Sequence, residues 1–233
     1  MILGIIQARM SSSRLPGKVL ADVAGAPMLG RQVERLRRSQ RMDELVLATS
    51  DQASDDAVAD YAARLDLTVV RGDLTDVLGR FGRALDAFPE AATVVRMTAD
   101  CPLTDWRVLD AVIDHRAATK ADYASNTPQV RTYPHGLDVE VMTAAALRTA
   151  LFEATDPYDR EHVTPFLYRN PRRFRVESLS QSPSLAHLRW TVDHPEDLDF
   201  VRHVYAALYA GNPDFGMADI AALEWNSSRA VAQ

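Results

Sequence analysis

Ile2-Leu3-Gly4-Ile5-Ile6 opens the chain as a short apolar run with β-branched residues, and Gln7-Ala8-Arg9-Met10-Ser11-Ser12-Ser13-Arg14-Leu15-Pro16-Gly17-Lys18 follows it as a polar loop. A buried strand that empties into a loop of serines, a glycine and three cations is suited to hold a polyanion, because backbone N–H groups and fixed positive charge converge there. The plainer reading is a surface turn whose Arg and Lys are solvated. The loop is not the common P-loop, since Val19 follows the lysine where that motif needs a hydroxyl.

Working outward, the spacing predicts a helix from Pro27 carrying Leu29, Val33 and Leu36 inward, a strand over 43–50, and a helix capped by Ser54 with Ala57, Val58, Tyr61, Ala62 and Leu65 facing inward. A third strand covers Thr68–Val70, a helix Asp76–Leu85, and a fourth strand Thr93–Met97. Strand and helix alternate, so the fold class is α/β with a mostly parallel sheet and crossover helices. Ligands of such sheets bind beyond the carboxyl ends of the strands. Asp100, just past the fourth strand, would face the same edge as the first loop, and a carboxylate there calls for a partner such as Mg²⁺. Helix capping by Asp100 is the competing explanation, although Thr104 is better placed to cap the helix expected over 104–116. Cys101 reads as a small buried residue, its thiolate disfavoured by the neighbouring carboxylate.

Further on, 122–126 reads as a short strand. Leu137, Val139 and Val141 alternate with Asp138 and Glu140, giving one apolar and one acidic face. Helices are expected over 144–154 and 158–168, strands over 174–179 and from Leu188, and a final helix with Leu198, Val201, Val204, Tyr205 and Leu208 on one face. Just before it stands Asp193, for which N-capping is the local alternative.

The chain has 233 residues, 47% hydrophobic and 25% charged, enough for a sizeable core and without low-complexity segments. A net charge of −6 argues against gripping long nucleic acid. No apolar stretch approaches the ~20 residues of a membrane span, and a lone cysteine forms no internal disulfide, so the expectation is a cytoplasmic protein with neither nucleic-acid nor membrane partners.

Four segments carry a family resemblance. Ala8-Arg9-Met10-Ser11-Ser12-Ser13-Arg14-Leu15-Pro16-Gly17-Lys18 resembles the signature of cytidylyltransferases that activate acidic sugars, the CMP-Kdo and CMP-sialic acid synthetases. Arg131-Thr132-Tyr133-Pro134-His135-Gly136-Leu137-Asp138-Val139-Glu140-Val141 and Tyr158-Asp159-Arg160-Glu161-His162-Val163-Thr164-Pro165 are similar to the group named after spore coat polysaccharide biosynthesis protein F. Trp190-Thr191-Val192-Asp193-His194-Pro195-Glu196-Asp197-Leu198 looks like a CMP-Kdo synthetase segment, with His194 in place of a small residue and Thr98 where those enzymes carry a glutamine.

The resemblance implies a three-layer α/β/α sandwich with a Rossmann-like sheet of the nucleotide-diphospho-sugar transferase kind, and a small β-hairpin and helix subregion for acceptor and dimer contacts. It implies one nucleotidyltransferase domain over 1–233, divided into a nucleotide half (1–120), an acceptor and dimerisation insertion (121–190) and a return strand with C-terminal helix (191–233). The implied activity is Mg²⁺-dependent transfer of a nucleoside monophosphate, most naturally from CTP, to a sugar acid, polyol or phosphonate, with release of pyrophosphate, in surface polysaccharide or related biosynthesis. A nucleotide-sugar-dependent glycosyltransferase is the alternative, disfavoured because Cys101-Pro102 follows Asp100 where an Asp-x-Asp pair is usual. Implied nucleotide contacts are Ala8, Arg9, Ser12, Arg14, Lys18, Arg71, Thr98 and Asp100, with Arg9, Lys18 and Asp100 catalytic. Arg71 and its neighbour Arg80 could equally be capping or surface charges. Acceptor contacts would come from Tyr133, His135, Asp138, Arg160, Glu161 and His162, and the metal would sit on Asp100 and Asp193. A homodimer is also implied.

Overall fold

β-Branched and leucine side chains alternate across the first strand, β1 (Ile2–Gln7): Leu3 and Ile5 enter one apolar cluster and Ile6 the other, so β1 is buried on both faces. In the computed structural model, which describes residues 1–127 and 130–223, a small hairpin of β2 (Asp22–Val23) and β3 (Ala26–Pro27) follows. Then come α1 (Met28–Leu36), β4 (Glu44–Ser50), α2 (Asp56–Arg64), β5 (Thr68–Gly72), α3 (Val77–Ala87), β6 (Thr93–Thr98) and α4 (Trp106–Thr119). The later chain supplies β7 (Tyr123–Ser125), β8 (Glu140–Thr143), α5 (Ala144–Glu153), α6 (Pro157–His162), α7 (Pro165–Tyr168), β9 (Val176–Ser178), α8 (Pro195–Leu208) and α9 (Met217–Ala221).

The seven-stranded sheet runs β5-β4-β1-β6-β8-β7-β9, with β8 antiparallel to both neighbours and the other pairs parallel. Helices α1, α2 and α4 cover one face through Leu29, Val33, Val58, Ala62, Leu109 and Val112. Helices α3 and α5 cover the other through Leu78, Phe81, Leu85, Leu147 and Ala150. A third cluster, built on Trp190, Phe200, Val204 and Phe215, docks α8 and α9 beside Tyr133 and Leu137. Between β1 and β6 the chain order reverses, so their carboxyl ends frame a crevice of the kind that α/β sheets use for ligands.

Several local expectations are corrected. Ser54 is exposed and caps nothing; a 3₁₀ turn over Ala53–Asp55 precedes α2, shifting its frame so that Ala59 is buried and Ala57 exposed. Neither Asp100 nor Thr104 caps α4. Asp105 does, accepting from Arg107 N at 2.9 Å, while the Thr104 hydroxyl donates to Cys101 O at 2.6 Å. The helix expected over 158–168 breaks at Val163, where φ is 71°, because Pro165 has no N–H to continue the ladder. Glu140 does not face water: it is 9% exposed, ion-paired to Arg96, and receives hydrogen bonds from Tyr123 Oη (2.6 Å) and Thr164 Oγ1 (2.5 Å).

No return strand forms after Leu188 among the described residues. The segment is extended, bridges His135 to Arg189, and donates from Val192 N to Asp100 O at 2.8 Å. It lies so close to Gly136 (φ 99°) that a Cβ there would meet Thr191 N at 2.6 Å. The expected C-terminal segment reaches α9 and continues through 224–233, outside the described residues.

Candidate active site

The loop after β1 is tied down before any ligand is considered. Met10 N donates to Asp55 Oδ1 at 2.6 Å, Ser50 Oγ donates to the other Asp55 oxygen, and Gly17 N returns to Met10 O at 3.0 Å, with Gly17 at φ 73°. This closed loop delivers Lys18 inward, where it is only 8% exposed. Its ammonium donates to Val192 O at 2.5 Å, and stands 3.3 Å from Asp193 Oδ1 and 3.6 Å from Asp100 Oδ2. Two carboxylates far apart in the sequence thus converge on the Lys18 ammonium. Asp100 is steered by Thr98 Oγ1, which donates to its Oδ1 at 2.6 Å. Asp193 is not the helix cap, a place taken by His194. Its carboxylate faces Lys18, Arg14 (3.0 Å) and Arg189 (2.6 Å).

One cavity gathers Ala8, Arg9, Ser12, Arg14, Lys18, Thr98, Asp100, Glu161, His162 and Asp193 along its wall. Arg80 lines it too and is 2% exposed; among the described residues its side chain makes one hydrogen bond, to Leu74 O at 3.3 Å, and Nε has no partner. Burial, and next the charge of Arg9, pull its guanidinium below the usual arginine range, with Asp55, Asp73 and Asp76 opposing. Such a cation is poised for an anion from outside the protein. The sequence alone does not decide the role of Arg80; its place at the fourth position of a helix capped by Asp76 turns it inward, which periodicity does not reveal.

A second cavity adjoins the first, sharing Thr98 and His162 with it, and is lined also by Arg96, Arg131, Asp138, Glu140, Tyr158 and Tyr168. Four of the residues expected at the site stand apart from both cavities. Arg71 is engaged with Ser50 O, Gln52 O and Asp56, bracing the turn before α2. Arg160 forks onto Asp76 at 2.8 and 2.6 Å, locking α6 to the cap of α3. Tyr133 is buried in the apolar cluster under α8. His135 uses its backbone, exchanging hydrogen bonds with Leu188 O (2.9 Å) and Trp190 N (2.7 Å), while burial and then Arg131 hold its imidazole below the usual histidine range. Cys101 is buried, and burial, then Asp100, push its thiol well up.

The sequence profile of a family described as cytidylyltransferase matches residues 3–206. The chain belongs to the cytidylyltransferase family. Among its relatives, it is 33% identical over 211 residues to the spore coat polysaccharide biosynthesis protein SpsF of Bacillus subtilis, covering 88% of this chain and 86% of that protein. It is 34% identical over 168 residues to a 3-deoxy-manno-octulosonate cytidylyltransferase of Syntrophobacter fumaroxidans, covering 69% and 66% respectively. The solved structure of a cytidylyltransferase from Leptospira borgpetersenii superposes with a TM-score of 0.91 at 28% identity, over all of this chain and 97% of that one. As a cytidylyltransferase the chain is a nucleotidyltransferase, on the mostly parallel sheet described above. No helix among the described residues is long and apolar enough to cross a membrane.

Proposed function

We propose that this cytidylyltransferase transfers CMP from CTP to a sugar acid, polyol or phosphonate acceptor with release of pyrophosphate, serving surface polysaccharide or related biosynthesis. The observation that carries the reading is the convergence of Lys18, Asp100 and Asp193 at the mouth of the β1–β6 crevice, inside a cavity also lined by Arg9, Arg14 and Arg80. In phosphoryl transfer the protein has little covalent work to do, so positioning and compensation of developing charge dominate. Arg9, Arg14 and Lys18 hold the triphosphate and meet the charge that builds on the departing pyrophosphate. Ala8 and Ser12 bring loop backbone and hydroxyl to the same phosphates. Thr98 keeps Asp100 in its rotamer. Arg80 supplies a buried positive charge that no carboxylate among the described residues ion-pairs.

The donor set fits a hard divalent cation such as Mg²⁺: Asp100 and Asp193 line the same cavity, 3.6 and 3.3 Å from Lys18 Nζ, and that ion takes one or two carboxylates together with phosphate oxygens and water. Asp100 and Asp193 would hold it, and when bound it would supply charge neutralisation at the phosphates. The second cavity, with Asp138 and His162 on its wall, receives the acceptor. The reading includes a homodimer joined through the 121–190 region, on which Phe152 stands 91% exposed, and a cytoplasmic setting in keeping with a single cysteine.

The test is a pyrophosphate-release screen of CTP, UTP, ATP and GTP against sugar acids, polyols and phosphonates, with MgCl₂ or with EDTA. CTP-dependent pyrophosphate that disappears with EDTA is the expected outcome. A nucleoside diphosphate product, or no pyrophosphate from any combination, overturns it.

A further inference from the structure

Two residues belong to the walls of both cavities, Thr98 and His162. Both stand where the two cavities adjoin. Thr98 is already committed, its hydroxyl donating to Asp100 at 2.6 Å. His162 is not: its ring makes no hydrogen bond or ion pair among the described residues, and its side is open to the cavities. The ring does have an aromatic neighbour. It lies 4.2 Å from the Tyr158 ring, centroid to centroid, and α6 ends directly after it, with Val163 N donating to Asp159 O and Thr164 N to His162 O, each at 2.9 Å.

Its electrostatic surroundings are largely paired off. On the nucleotide side Arg9 faces Glu161 at 3.8 Å, Lys18 faces Asp100, and Arg80 has no ion-paired carboxylate among the described residues. On the acceptor side Arg96 is paired with Glu140 and Arg131 with Asp138, alongside the hydroxyls of Tyr158 and Tyr168. From α3, Asp76 is taken by Arg160, and from the segment after α7, Arg169 is taken by Asp159. Among the described residues the acceptor cavity therefore offers no arginine or lysine without a carboxylate partner to a doubly charged phosphate or phosphonate nucleophile. A neutral hydroxyl suits it, and a hydroxyl attacks phosphorus well only as its proton is removed.

We infer that His162 is the general base of the transfer and that the attacking group is an acceptor hydroxyl; this rests on the function proposed above. The acceptor O–H bond breaks and its proton passes to a free ring nitrogen of His162. The oxygen's electron pair forms the bond to the α-phosphorus, the bond from that phosphorus to the bridging oxygen breaks, and its electron pair leaves with pyrophosphate. The imidazolium then returns its proton to water. Imidazole is the side chain that exchanges protons readily near neutral pH.

The experiment compares wild type with His162→Gln and His162→Ala in the full chain. Pyrophosphate release is followed from about pH 5 to 9 with CTP and MgCl₂, using 3-deoxy-manno-octulosonate, a polyol and a phosphonate as acceptors, and CTP affinity is measured separately by calorimetry. The expected result is a wild-type kcat that rises with pH along a one-proton limb, and variants that keep CTP affinity, lose about 10²–10⁴-fold in kcat and lose that limb. Variants that retain the limb or most of kcat overturn the base while leaving the transferase reading standing. So does a wild type that uses only the phosphonate, or variants that lose CTP affinity along with rate. A wild type that releases no pyrophosphate from CTP with any acceptor sinks the transferase reading itself, and this inference with it.

Discussion

Lys18 and Arg80 are two nearly buried cations on one cavity wall, and their surroundings predict opposite side effects of removing them. Lys18 is ringed by Val192 O, Asp193 and Asp100, so Lys18→Ala leaves two carboxylates facing each other with Arg14 and Arg189 as the compensating charges of Asp193. Turnover is expected to fall about 10²–10³-fold, as for other single electrostatic contacts to a transition state. Initial rates of pyrophosphate formation, with circular dichroism as the folding control, check it. Arg80 has the reverse balance, a charge held out of water with one backbone hydrogen bond to show for it. Arg80→Met removes an unmet desolvation cost, so the thermal midpoint should hold or rise while nucleotide affinity drops about 10- to 100-fold, the range of a lost hydrogen bond to a charged group. A lower midpoint with unchanged affinity would assign Arg80 to the scaffold.

At the scale of elements, two polar knots fasten secondary structure around the site. Glu140 ties β8 to β6 through Arg96, to β7 through Tyr123 and to the start of α7 through Thr164. Glu140→Ala strands a buried guanidinium and should cost about 3–5 kcal/mol, read as a loss of midpoint in urea at unchanged slope. The second knot is the start of α8. Burial works against the Asp197 carboxylate, but the N–H groups of Asp193 and His194, both at 2.9 Å, and Arg189 outweigh it and hold Asp197 below the usual carboxylate range. A carboxyl depressed by folding stabilises the protein above its unfolded value, about 3.9, and this contribution is lost as pH falls through the folded value. Asp197→Asn should therefore lower stability at pH 7 and flatten its decline below about pH 4. Asp73 and Asp214 are also held low, so the quantity to measure is the difference between variant and wild type across pH.

The elements most legible in the sequence were those with long apolar runs. Strands β1, β4 and β6 and helices α3 and α8 fall within a residue or two of where periodicity puts them. Short-range chemistry was less legible. Glu140 sits on an alternating strand, and alternation reads it as solvent-facing; the partners that bury it come from positions 96, 123 and 164. Arg160 and Arg71 stand in or near family-like motifs yet spend their guanidiniums on Asp76 and on the turn before α2, roles that sequence spacing cannot separate from ligand contact. The meeting of Lys18 with Asp193 came from resemblance, since nothing local to either residue points to the other.

For the whole molecule, the cavity proposed for the nucleotide is walled by the loop after β1, by α3, by the end of β6, by α6 and by the segment before α8. A ligand that bridges these pieces stabilises all of them together. At 100 times its dissociation constant, CTP with Mg²⁺ should add about 2.7 kcal/mol. For a chain of this size that raises the thermal midpoint by roughly 5–10 °C. A melting curve that CTP with Mg²⁺ leaves unmoved would mean that these walls do not close on the nucleotide.

Lys18 and Asp193 lie 175 positions apart. At translation rates of about 5–20 residues per second, roughly 10–35 seconds separate the birth of one from the birth of the other. Throughout that interval the nascent chain has its cationic loop without the distal acid, so a ribosome-tethered fragment ending before Asp193 should be unable to spend nucleotide, however well its early strands have paired.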